Sequence, residues 1–467
     1  MDQEKNPVVA EEGFGPVQEE NVNVRHVPEK QETEFAKQQF STAKPAAVLK
    51  KNRWPILLVA VALAVAIIAV LLAANWGRQD CSLGDLFHSG LIAVQLEGRC
   101  GFADRQGNIK ITPQFDVAWN FDESGLAMVK LGNQYGFVNP EGHYVINPQY
   151  EQAVPFGKGE LTAVCVSGKW GFIDKNGKEV IAPTYQSARA FDEKGMAAVN
   201  LGDAWGYIDK TGAFVIPAKY STAQSFIGDV AVVYQNGDGE QSGGYGLIDR
   251  KGNPVTAPSY QEAAIVPWDD MVAIDQSIDG NYLRGFMDRS GKEVIPPQFE
   301  DICPFIGGRY AAICLGGKWG FADRSGAIRI NPQFREAYSF DANGIAVVRT
   351  GEGYALLNLR GKLESAADFQ KILPFFGQPL AAAVGADGTV GYINTRGEWV
   401  IRLSQADSVG AFGRDGYAIF RSGGKYGVVD RNGNIVLPAV YDQIVSDLLF
   451  STQTPAAYKT NTGCIED

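Results

Sequence analysis

The stretch Lys169-Trp170-Gly171-Phe172-Ile173-Asp174-Lys175-Asn176-Gly177-Lys178-Glu179-Val180-Ile181-Ala182-Pro183-Thr184-Tyr185 reads as two short strands joined by a tight turn. Asp at the first turn position bonds the backbone ahead of it, and Gly at the fourth supplies a positive φ. Asp174 and Gly177 hold those two positions, which is the chemistry of a bulged hairpin. The apolar run Leu161–Val166 just before it reads as a third strand. We name these strands a, b and c in chain order.

The pattern recurs along the chain. The first Gly returns at Gly101, Gly136, Gly171, Gly206, Gly246, Gly285, Gly320, Gly391 and Gly427, with Ala355 in its place once. The turn Gly returns without exception at Gly107, Gly142, Gly177, Gly212, Gly252, Gly291, Gly326, Gly361, Gly397 and Gly433. The companion residues Asp104, Asn139, Asp174, Asp209, Asp249, Asp288, Asp323, Asn358, Asn394 and Asp430 are therefore read as turn formers and not as catalytic carboxylates. Strand a is apolar on both faces, so each small sheet needs cover from both sides, and one unit of this length cannot supply it alone. The fold class expected is an all-β repeat protein of about ten three-stranded antiparallel units over residues 86–445. Successive copies run a-b-c with no evident permutation, which favours an open, solenoid-like array. One or two closed β-propellers are the alternative.

These residues resemble the WG-repeat (KWG-repeat) family of bacterial proteins. Lys169-Trp170-Gly171-Phe172 and Lys318-Trp319-Gly320-Phe321 match the family core, and Ala204-Trp205-Gly206-Tyr207 is close. Tyr135, Tyr245 and Tyr426 replace Trp in other copies, and Cys100, Arg284 and Val390 depart further. The resemblance implies a β-rich extracytoplasmic or surface repeat module and carries no shared catalytic activity.

Outside the repeats, Ile56–Ala74 contains only Ala, Val, Ile and Leu. At 1.5 Å per residue this run spans about 28 Å, close to the hydrocarbon thickness of a bilayer. Trp54 and Trp76 flank it at headgroup depth, and Lys50, Lys51 and Arg53 precede it. Residues 54–76 are expected to be an uncleaved signal anchor that crosses the lipid bilayer once, with 1–53 a disordered cytoplasmic tail. The location expected is the bacterial inner (cytoplasmic) membrane, with the repeats periplasmic or extracellular. Residues 77–85 form a linker and 446–467 a C-terminal cap or tail. All six cysteines follow the span, where disulfides are permitted. Cys303–Cys314 and Cys81–Cys100 are the expected local bridges.

The net charge of −11 gives no basic field for nucleic acid, so none is expected as a partner. Three His residues, His26, His88 and His143, do not assemble a zinc site or a triad. No catalytic residue, metal or cofactor is expected. The function expected is a membrane-anchored scaffold that binds a protein of the cell envelope, with cell-wall glycan binding as the alternative. For the latter, Trp170, Trp205 and Trp319 would stack on sugar rings, whereas the structural reading packs them between sheets. Two longer spacings place insertions in the a–b loops at Gln235–Gly243 and Asp275–Leu283. Equivalent loops project from one edge of a repeat array and often mark its binding side. Asp238, Glu240, Asp275 and Asp279 on these loops are the candidate partner-binding residues.

Overall fold

The computed structural model describes residues 84–237, 243–265, 269–366 and 368–445. The cytoplasmic tail, the span at 54–76, most of the linker, Cys81, Asp238, Glu240 and the 446–467 tail lie outside the described residues. In the third repeat, strand a is Leu161–Val166, b is Lys169–Asp174 and c is Glu179–Tyr185. Ser167 and Gly168 turn a into b with φ of 52° and 71°, the geometry that matches the twist of the flanking strands. Between b and c, Asp174 Oδ1 accepts from the N–H groups of Asn176 and Lys178, both at 2.9 Å. Gly177 closes the turn at φ 82°.

Gly171 has a second reason to be glycine. Strand c bulges across strand b, with register shifts on either side of Phe172. A Cβ on Gly171 would stand 2.5 Å from the Ile181 carbonyl oxygen and 2.7 Å from Pro183 N. The same crowding recurs at Gly101, Gly136, Gly206 and Gly320. Where Ala355 stands in the eighth repeat, strand c is reduced to one bridge, Leu357 to Leu363. Tyr354 there pairs with Phe369, and the eighth and ninth repeats merge into one seven-stranded sheet. The fifth repeat keeps Gly246 yet also has only isolated bridges, Tyr245 to Tyr260 and Ile248 to Pro254, in place of strand c, so its loss does not require the methyl group.

Where strand c is formed as a full strand, it is the outer edge of its sheet. In the third repeat Ile181 and Tyr185 point inward while Glu179, Val180 and Ala182 face out. Pro183 withholds an N–H from this open edge, which discourages pairing with another chain. Strand a, by contrast, is buried on both faces from Leu161 to Cys165.

The two residues after strand c leave their own sheet. Ser187 and Ala188 pair with Asn200 and Val199 on strand a of the fourth repeat, so each sheet begins with a short tag from its predecessor. The first repeat has no predecessor. Its strand a (Leu91–Leu96) takes its tag from the far end of the chain, where Ile444 and Gln443 pair with Val94 and Gln95. The expectation of an open array is corrected: first and last strands share one sheet, as in a closed propeller.

Buried clusters confirm the cycle. They join Phe102 to Val129, Phe137 to Val164, Phe172 to Val199 and Tyr207 to Val233. They continue from Val232 to Ile274, Phe286 to Ile313 and Tyr392 to Phe420. The largest cluster carries the seventh to tenth repeats onto Ile92 and Val94 of the first.

Candidate functional site

The strands run between two edges of different chemistry. The first edge collects the b–c turns and the turns that lead into strand a. Cations on the former reach acids on the latter in the preceding repeat. Lys210 Nζ lies 2.6 Å from Glu160, and Arg250 lies 2.5 Å from Asp192. Arg324 forks onto both oxygens of Asp269 at 2.8 Å. Both described chain ends lie on this edge. The Leu86 and Phe87 N–H groups donate to Asp415 Oδ2 at 3.0 and 2.9 Å, and Asn120 Nδ2 donates to the Val445 carbonyl at 2.9 Å.

The second edge carries the a–b turns. In several repeats the residue after strand c is a carboxylate that caps the neighbouring turn. Glu151 accepts from Ser167 N and Gly168 N at 3.0 and 2.9 Å. Glu300 accepts from Gly316 N and Gly317 N, both at 2.9 Å. Hydrogen bonds to the charged form favour it, and those from Gly317 and Gly316 hold the Glu300 carboxyl below its usual range.

The sixth-repeat insertion lies on this second edge, as an ordered hairpin. Its strands Met271–Ile278 and Asn281–Asp288 are longer than their counterparts, and Asp279 and Gly280 turn at the tip. Tyr282 is 70% exposed, the most open large apolar side chain described. Asp279 is at the tip, but Asp275 is not in an exposed acidic cluster. Asp275 sits opposite Arg284 on the hairpin, 3.2 Å from Nε, and Arg284 also binds Asp301 at 2.6 Å. Burial raises the Asp275 carboxyl to about 6. Arg284 pulls it down, while Glu262 and Asp301 push it further up. Arg284 fills the position of Trp170 and Trp319, so an ion pair stands where other repeats place a ring. The sequence marked Arg284 as a departure. Asp301 was missed because its partner lies on a different strand.

Trp319 is buried, and Trp170 and Trp205 are half-buried against the inter-repeat clusters. The Arg189 guanidinium lies 5.3 Å from the centre of the Trp205 ring. Among the described residues no Trp is exposed.

The Cys303–Cys314 bridge is corrected as well: both residues are thiols. Asp301 pairs with Cys314, and Cys303 N donates to the Ala312 carbonyl, so the two cysteines stand diagonally across two strands. Diagonal Cα atoms across two strands typically lie about 7–8 Å apart, at or past the upper end of disulfide geometry. The Cys314 thiol is 3.7 Å from the Glu300 carboxylate. Cys100 is a buried thiol whose pKa is raised by desolvation, and the Cys81 end of the other expected pair lies outside the described residues.

The second edge also has a depression of about 290 Å³ between the eighth and ninth repeats. Its lining includes Arg335, Arg349, Glu352, Tyr354, Asp368 and Phe369. Arg349 is held by Glu336, which also accepts from the Tyr354 hydroxyl. The sequence carries no direct signal for this depression beyond Ala355, which breaks the repeat pattern beside it.

The WG containing repeat family matches residues 101–135, 135–170, 170–203, 205–237, 245–266, 285–319, 319–354, 391–426 and 426–446. The unmatched stretch after 354 begins in the eighth repeat, whose strand c is reduced to a single bridge. A crystal structure of the eukaryotic initiation factor is similar over 77% of this chain and 98% of that chain, at 8% identity and a TM-score of 0.47. BamB from Moraxella catarrhalis is similar over 65% of this chain and 95% of that chain, at 14% identity and a TM-score of 0.27. No curated protein matches.

Proposed function

The chain belongs to the WG containing repeat family, and from that premise we propose that it is a membrane-anchored scaffold of the bacterial envelope that holds a protein partner outside the cytoplasm. Residues 54–76 anchor it in the inner membrane, with the N-terminus cytoplasmic. The partner docks on the a–b edge, with the Met271–Asp288 hairpin as the leading contact. One observation carries this reading. Leu86 and Val445 both lie on the edge of the b–c turns. In this proposal that edge receives the chain from the anchor, and the a–b edge is left free for the partner. The repeats are a binding surface and not an enzyme in this proposal.

Two measurements test it. Protease added to spheroplasts should remove the chain beyond Arg78 and spare the tail; protected repeats would reject the topology. A photocrosslinking amino acid at Tyr282 should capture an envelope protein, whereas one at the exposed Asn176 on the opposite edge should not. Capture from Asn176 alone would reject the edge. The glycan reading requires an open aromatic platform, and the half-buried Trp residues favour the protein partner over it. Quenching of Trp fluorescence by peptidoglycan fragments would reverse that preference.

A further inference from the structure

We propose that the depression between the eighth and ninth repeats binds a small zwitterion, a free amino acid or the end of a short peptide, with its carboxylate on Arg335 and its ammonium group at Glu352 and Asp368. The argument starts from the repeat itself. Asp116, Glu151, Glu300 and Asp442 occupy the position after strand c and turn a carboxylate onto the next a–b turn. Arg335 occupies that position before the eighth repeat. A guanidinium has only donors, so it cannot accept from the turn N–H groups. Thr350 does so instead, its Oγ1 accepting from Glu352 N and Gly353 N at 3.1 and 3.3 Å. The turn is thus satisfied without its neighbour, and Arg335 is released from the capping role.

The charges around the depression are not spent on one another. Among the described residues, the side chains of Arg335, Glu352 and Asp368 form no ion pair and no hydrogen bond with one another or with a neighbour. Arg349 is already committed to Glu336. A simple anion would meet Glu352 and Asp368, and a simple cation would meet Arg335. A ligand with both signs on a short frame satisfies both. The guanidinium fork matches the two oxygens of a carboxylate. Phe369 and Tyr354 supply an aromatic base for a short apolar side chain. The volume of about 290 Å³ holds about ten waters at roughly 30 Å³ each, which is the scale of one or two amino-acid residues. The depression lies where the strand c of the eighth repeat is reduced to the single bridge Leu357 to Leu363.

The test uses the full-length protein in detergent micelles, with the dipeptide alanyl-alanine as probe, followed by calorimetry. Saturable binding is expected, with the N-acetylated and C-amidated dipeptides each weaker by about tenfold or more, since each loses one charge contact. Arg335→Gln should lower affinity for the dipeptide to the level of the C-amide and leave the C-amide itself unchanged. Glu352→Gln with Asp368→Asn should do the same for the N-acetyl form. An unchanged thermal midpoint in each variant separates loss of binding from misfolding. Absence of binding at about 10 mM dipeptide, a Kd too weak for a built site, would overturn the proposal. So would equal binding of all three probes, or wild-type affinity in Arg335→Gln.

Discussion

Gly171→Ala adds a single methyl group, and its cost follows from three distances. The new Cβ meets Ile181 O at 2.5 Å, Pro183 N at 2.7 Å and the Ala182 carbonyl carbon at 2.9 Å. All three are backbone atoms, so no side chain can rotate away. Relief requires strand c to lift by several tenths of an ångström, and strand c is held by the buried Ile181 and Tyr185. Overpacking in a well-ordered core costs about 1–3 kcal/mol, and a backbone obstruction places this case near 3 kcal/mol. Gly351→Ala is the control, because nothing lies within 4 Å of its Cβ position and its φ is not in the left-handed region. It should stay within about 0.5 kcal/mol of wild type. Urea unfolding followed by Trp fluorescence gives both values, and hydrogen exchange over 179–185 reports strand c directly. If Gly171→Ala were no more destabilising than Gly351→Ala, the account of the glycine as a crossing point would fail.

Three further outcomes follow from the same structure. Burial raises Asp275 from 3.8 to about 6, so its contribution to stability is full below about pH 4 and is lost as pH rises through 6. Asp275→Asn should accordingly stabilise the protein at pH 8, and the difference from wild type should vanish by pH 4; a pH-independent difference in urea midpoint would contradict this. Removing residues 441–467 deletes Tyr441 and Ile444, which are 3% and 0% exposed. At about 1.5–3 kcal/mol per large buried side chain, the truncation should lower stability by several kcal/mol and speed exchange in Leu91–Leu96; unaltered exchange there would mean that the cycle is not closed by this tag. Cys303 and Cys314 should both react with a thiol reagent after unfolding without reductant, and mass spectrometry finding them linked would refute the diagonal placement.

The sequence exposed the elements whose physics is local. Asp174 and Gly177 specify their turn within four residues, and the aromatic–Gly pair marks strand b because the crowding is against a strand only ten residues away. The tag was hidden for the opposite reason. Ser187 and Ala188 are two residues with no alternation of their own, and only their partners on the next strand a give them meaning. Closure through Gln443 and Ile444 therefore leaves no mark in the sequence, whose unpermuted a-b-c order favours an open array. The bridge between Cys303 and Cys314 failed on register: separation along the chain suggested proximity, but pairing of Asp301 with Cys314 set the cysteines on a diagonal. Arg335 went unnoticed because a charged residue on a turn edge is unremarkable until the capping carboxylates of the other repeats are known. Asp275 was recognised as acidic, but its burial against Arg284 depends on a hairpin continuing where a loop was expected.

The shared first sheet sets a timetable. While the chain is being made, Leu91–Leu96 emerges early, and the Gln443–Ile444 segment that completes its edge is delivered roughly 350 residues later. At roughly 5–20 residues per second, that interval is about 20–70 s. Throughout it the first repeat's strand a, paired with its own strand b on one side, presents an unpaired edge on the other, the form of backbone that recruits strangers. Later repeats can add to earlier ones as they appear, but the first one waits for the last. The period of greatest vulnerability is thus written into the order of synthesis, and any factor that shields a growing chain has most to protect at its oldest repeat.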